Sequence, residues 1–140
     1  MTADFVVVET DNFESFIQNE SPADNRPSAS WKDLSEVNIV VLWSILLNEE
    51  YSEERRESLK MLFSADGGHV WLVVFPDGLV NKLSALNEKE MLLTGSVWAK
   101  AEEFQWGWVE QDVQELLSDI VRLARIATEE DKPLILWGSS

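Results

Sequence analysis

The chemistry in this sequence is concentrated in one short stretch, Glu102-Glu103-Phe104-Gln105-Trp106-Gly107-Trp108, which is followed by Glu110, Asp112, Glu115 and Asp119. Three aromatic rings around one glycine beside two carboxylates could form a shallow groove for a cationic or sugar-like ligand, because π faces and carboxylates both attract positive charge. The same stretch could act as a hot spot for a basic protein, since buried tryptophans dominate many interfaces. The plainer reading is a corner between two helices whose tryptophans plug the core. Partner or ligand binding is expected at Glu102, Glu103, Trp106, Trp108, Glu110, Asp112, Glu115 and Asp119. Glu115 and Asp119 stand four apart, an arrangement of like charges that slightly destabilises an isolated helix, although Arg122 offers local compensation.

Other reactive groupings are weaker. His69 is the only histidine, so a site built on several imidazoles is excluded. Ser64, Asp66 and His69 supply a nucleophile, an orienting acid and a base within six residues. Catalytic triads, however, bring together distant segments, and no nucleophile-elbow motif surrounds Ser64. No catalytic residue is therefore assigned, and His69 reads as a partly exposed residue at the entry to a strand. Glu49-Glu50, Glu53-Glu54 and Glu129-Glu130 are adjacent on helical patterns and so point about 100° apart, as solvated faces do. None follows the spaced loop of a calcium-binding hand, and no metal or organic cofactor is expected. Gly67-Gly68 precedes a strand and lacks the lysine and helix start of a phosphate loop.

The composition narrows the classes further. With no cysteine, disulfides, thiolate chemistry, iron–sulfur clusters and cysteine-ligated zinc are excluded. A formal charge of −15 on 140 residues repels phosphate backbones and anionic lipids, which argues against nucleic-acid and membrane-surface binding. Residues 101–140 alone hold nine acids against three bases. The start of the sequence carries no basic, apolar leader, and the longest apolar run, from Ile39 to Leu47, is about half a membrane span. A cytoplasmic location is expected.

The elements that must position these residues follow from periodicity. Phe5-Val6-Val7-Val8, Val70-Trp71-Leu72-Val73-Val74-Phe75 and Leu134-Ile135-Leu136-Trp137 are apolar without alternation, as strands covered on both faces are. Strands are placed at about 4–9, 69–75 and 134–137. Phe13, Phe16 and Ile17 share one side of a brief helix. Residues 20–30 read as a flexible loop. Helices are expected from about 34 to 47 with Ser35 or Asp33 as cap, and from Ser52 toward 66 with Leu59, Leu62 and Phe63 turned inward. A short third helix should be capped by Asp77, and a fourth should run from Asn87 to about Glu103, opened by an Asn87/Glu90 capping box and packing through Met91, Val97, Trp98 and Ala101. The clearest helix carries the stripe Val113, Leu116, Leu117, Ile120, Val121, Leu123, Ala124 and Ala127, with early acids and later bases that suit its dipole.

The expected fold is a single α+β domain over residues 1–140, with a small three-stranded sheet packed by about five helices. Three function classes fit it. The leading one is an acidic interaction module for a basic protein partner, in an inhibitor, immunity-type or adaptor role, and not an enzyme. The second is a small-ligand-binding or hydrolytic domain using carboxylates and tryptophans. The third is an accessory domain that oligomerises through exposed aromatics.

Overall fold

The computed structural model describes residues 2–17, 20–64, 67–105 and 107–139. The α+β class holds, but the sheet has five strands rather than three: β1 (Thr2–Val7), β2 (Ser28–Lys32), β3 (Lys60–Phe63), β4 (Val70–Val74) and β5 (Leu134–Ser139). Their order is β2-β1-β5-β4-β3, and every neighbouring pair is antiparallel. The three expected strands are the inner ones, and the two that the apolar-run criterion passed over are the edges. Residues 28–30 of the expected loop belong to β2. The expected helix from Ser52 toward 66 is cut short: Ser52 does cap α2 (Glu53–Ser58), accepting from the Arg55 N–H at 3.1 Å, but the chain then extends into β3. Leu59, Leu62 and Phe63 fit helical spacing, yet Met61, Leu62 and Phe63 pair with Val73, Leu72 and Trp71. That pairing satisfies backbone groups that a short terminal helix would leave open.

Inner strands with two covered faces require two sets of partners. On one face Phe5, Val7, Trp71, Val73, Leu134 and Leu136 meet the helices in the main core. On the other, Val6, Val8, Leu72, Ile135 and Trp137 pack with Phe13 and Phe16 of a 3-10 turn, Phe13–Phe16, and with Ile17 just after it, and Ala23 adds a partly buried side chain to this thinner cover. The Trp137 indole N–H donates to the Phe16 carbonyl at 2.9 Å and ties that thin cover down. Asp4 is buried on this face. One of its carboxyl oxygens accepts from the Ser21 hydroxyl, and the other has no partner among the described residues.

The helical layer comprises α1 (Glu36–Leu47), α3 (Asp77–Ser84), α4 (Glu88–Ala99) and α5 (Glu110–Glu130). Ser35 caps α1, while Asp33 stands outside it in the left-handed region, with φ 58°. The Asn87/Glu90 box opens α4 reciprocally, at 2.8 and 3.1 Å. This helix ends at Ala99, short of the expected Glu103, and a separate 3-10 turn spans Glu102–Phe104. Asp77 is the first residue of α3, and Pro76 occupies the cap. All eight residues of the α5 stripe are buried, so this helix lies where its sequence pattern requires. Among the described residues, no helix is long and apolar enough to cross a membrane.

Gly138 of β5 pairs with Trp71, and a Cβ placed on it would lie 2.2 Å from the Trp71 ring. Glycine is required there because the indole lies flat across the strand.

Candidate functional site

The aromatic corner is built by the approach of α5 to the β2 edge of the sheet. Trp98, fully buried on α4, donates its indole N–H to the Asn38 carbonyl of α1 at 3.2 Å. Phe104 meets it edge-on at 5.1 Å between ring centroids, and Trp108 meets Phe104 at 4.9 Å. Trp31 from β2 then stacks on Trp108 at 5.9 Å with 21° between the planes. Four rings thus run from the core to the surface. The inner two plug the corner between α4 and α5, while Trp31 and Trp108 are half-buried and form a shelf.

The shelf is locked from α5. Asp119 accepts the Trp31 indole N–H at 3.1 Å and lies 3.7 Å from the Arg122 guanidinium. Asp112 accepts from the Val109 N–H at 3.3 Å, which satisfies one of the open donors at the start of α5. Beside the shelf is a shallow groove of about 400 Å³, with Ser30, Lys32 and Asp33 on one bank and Gly107 and Asp112 on the other.

The residues singled out from sequence divide in four. Asp112, Glu115 and Asp119 follow one another at helical spacing along the flank of α5 that borders β2, and Trp108 lies at the head of that flank. Glu110 stands two residues before Asp112, about 200° around the helix, and so points away from the flank. Glu102 and Glu103 sit in the 3-10 turn that delivers Phe104 inward. Trp106 lies outside the described residues. Trp31, which the sequence reading omitted, is the main addition. Its signal was the alternation Ala29, Trp31 between Ser28, Ser30 and Lys32, a period of two with one large apolar side chain.

The remaining candidates are dispersed. Ser64 joins β3 to β4: its N–H donates to the Val70 carbonyl at 2.8 Å and its hydroxyl accepts from the Val70 N–H at 3.3 Å. His69 is exposed just before β4, and Asp66 is outside the described residues. No group of three acidic or histidine side chains suited to a metal ion occurs among the described residues. Glu49 pairs with Arg55, which also donates to the Ser44 hydroxyl at 2.9 Å and the Glu50 carbonyl at 3.0 Å. That pair is thereby used within the fold.

A larger cleft, about 500 Å³, opens at the opposite end of α5. Its floor is Phe75, Val80 and Leu134, and its rim includes Asp77, Thr128 and Asp131. None of the described residues expected to bind a partner lines it. Val97, expected to pack, is half exposed with Leu92 and Leu93 on the outer side of α4.

No known family's sequence profile matches this chain, and no curated protein or solved structure is significantly similar to it.

Proposed function

We propose that this chain is a cytoplasmic, non-enzymatic interaction module that captures a basic protein partner on the flank of α5 beside β2. The observation that carries the reading is the Trp31–Trp108 shelf, held half exposed by Asp119 and bordered by Asp112, with Glu115 exposed between those two acids on the same helical flank. Tryptophan faces and carboxylates side by side suit lysine and arginine side chains, which engage both through cation–π contact and charge. Trp31, bonded to Asp119, and Trp108, packed between Trp31 and Phe104, are already ordered and lose little freedom on binding, which favours affinity. The net charge supports a basic protein over a nucleic acid. The absence of cysteine accords with a reducing compartment but does not require one.

The test is affinity capture from native lysate followed by association kinetics with the captured protein. Association with a basic protein should slow markedly as salt rises from low to physiological strength, because the screening length falls to about 8 Å, while dissociation changes less. Glu115→Lys should reduce the on-rate, and Glu110→Lys, on the far side of the helix, should reduce it less. A salt-insensitive on-rate unaltered by Glu115→Lys would overturn the reading.

The small-ligand alternative draws its support from the cleft at the other end of α5, where an apolar floor meets a polar rim. Ligand-induced amide shifts confined to residues 75–81 and 127–134 would favour it. The oligomerisation alternative draws on Leu92, Leu93 and Val97. A sedimentation coefficient independent of protein concentration, at the monomer value, would remove it.

A further inference from the structure

The geometry points to strand addition: the groove beside the tryptophan shelf takes an extended, basic segment of the partner, which pairs with the free edge of β2. This rests on reading the α5 flank as partner-binding, and it specifies how the partner is held. Among the described residues, β2 is the end of the sheet and pairs only with β1. The Val7 N–H donates to the Pro27 carbonyl at 3.0 Å, which sets the phase of the antiparallel ladder. Phe5 with Ala29 and Ala3 with Trp31 are then the hydrogen-bonded pairs, and Ser28, Ser30 and Lys32 turn their backbone groups outward. The Ser28 carbonyl is covered by the Arg122 guanidinium at 3.5 Å. The outward groups of Ser30 and Lys32 are thus left to meet a strand, and these same residues form one bank of the groove.

Side chains choose the occupant. Ala29 and Trp31 lie on the helix side of the sheet, where Trp31 meets Asp119. A strand added outside β2 presents every second side chain to that side, beside Trp31, Trp108, Asp112 and Glu115. Lysine or arginine at those positions gains both carboxylates and π faces. The intervening side chains lie on the side of Ser30 and Lys32, where a second row of cations would face Lys32. The matching segment therefore carries basic residues at alternate positions with β-forming residues between them. Main-chain bonds would supply affinity, and the alternating cations specificity, the division of labour typical of sheet-edge recognition.

Short synthetic peptides test this directly. One probe alternates lysine with valine, one has the same net charge on an alanine-rich helical sequence, and two are copies of the first, N-methylated on opposite sets of alternate residues. In a strand, successive N–H groups point to opposite sides, so methylation of one set blocks pairing with β2 and methylation of the other faces solvent. The expected result is that the alternating peptide shifts the amide resonances of residues 28–32. One methylated copy should then bind about tenfold more weakly and the other nearly as well, a loss corresponding to one or two hydrogen bonds. Equal binding of the two methylated copies, tighter binding of the helical peptide, or unmoved amides at 28–32 would each overturn strand addition while leaving a charge-driven interaction intact. If no peptide binds and no salt-dependent partner is captured, the interaction reading itself falls.

Discussion

The two ends of α5 treat their polar side chains in opposite ways. Toward the C-terminus, Arg125 donates to the Leu86 carbonyl at 2.6 Å and the Ser84 carbonyl at 3.4 Å, and Thr128 shares a hydrogen bond with the Ser84 hydroxyl at 3.0 Å. Those side chains close the end of α3 and are consumed by the fold, as the open carbonyls of a helix terminus require. Toward the N-terminus, Asp112 bonds the Val109 N–H and Asp119 the Trp31 indole, yet the tryptophan shelf that Asp119 holds remains half exposed, and Glu115 between the two acids stays at the surface. One helix therefore serves as a structural strut at one end and leaves a half-exposed aromatic shelf beside acidic side chains at the other.

The comparison presupposes that α5 is the common support of both ends, and the largest expected effect tests that. Leu117 is fully buried in the middle of the helix, so Leu117→Ala should lower stability by about 2–5 kcal/mol through lost apolar contact and a residual cavity. Chemical denaturation gives the value. An unchanged midpoint would mean that α5 is not seated as described, and both ends would lose their footing.

At the strut end, Arg125→Ala removes the donor to two carbonyls at the end of α3. Part of that loss is recovered by water, because Arg125 is exposed, and the expected cost is about 1–2 kcal/mol. Hydrogen exchange should show the loss concentrated at residues 83–86. Loss of protection at β2 instead would blur the distinction between the two ends.

What was legible in the sequence follows the same division. The α5 stripe and the three inner strands could be read because burial selects apolar residues and each pattern repeats within a few positions. The edges could not. Ser28-Ala29-Ser30-Trp31-Lys32 is polar because only one of its faces meets the core, and its strand character comes from pairing with β1, more than twenty residues away in sequence. The apolar spacing of Lys60–Phe63 fits a helix as well as a strand, and pairing with β4 decides between them. The acids of the α5 flank were visible as a cluster. Their meeting with Trp31 was not, since that contact spans 88 positions. The 500 Å³ cleft is formed by Phe13 and the stretches 74–81 and 127–134, and it left no mark in any of them.

A carboxylate outside both ends sets a reference for ordinary surface pairing. Glu9 receives two hydrogen bonds from Arg26, at 2.6 and 2.7 Å. That guanidinium lowers its pKa from 4.5 to about 2. Because the folded value lies below the unfolded one, the pair's contribution is fully present above about 4.5 and is lost as pH falls through about 2. The Glu9 carboxyl carbon resonance should titrate with a midpoint near 2 at low salt and move upward as salt screens the pair. A midpoint at the ordinary glutamate value would show that the Arg26 contact does not persist in solution.

The smallest stability effect is expected at Glu115, and it separates the two ends most sharply. Glu115 is exposed on the outer flank, three residues after Asp112 and four before Asp119, so it faces like charge in both directions. Glu115→Lys replaces two repulsions with two attractions, and the free protein should gain roughly 0.2–0.5 kcal/mol or show no change. A residue present only to support the fold would not improve on reversal of its charge. If the proposed interaction exists, the same substitution places a cation beside the shelf where the partner's cations dock, and affinity should fall by about tenfold. A more stable or equally stable protein that binds its partner more weakly is the signature of a surface kept for binding. Glu115→Lys that destabilises the fold while leaving partner affinity unchanged would place the N-terminal end of α5 in the same structural role as the C-terminal end.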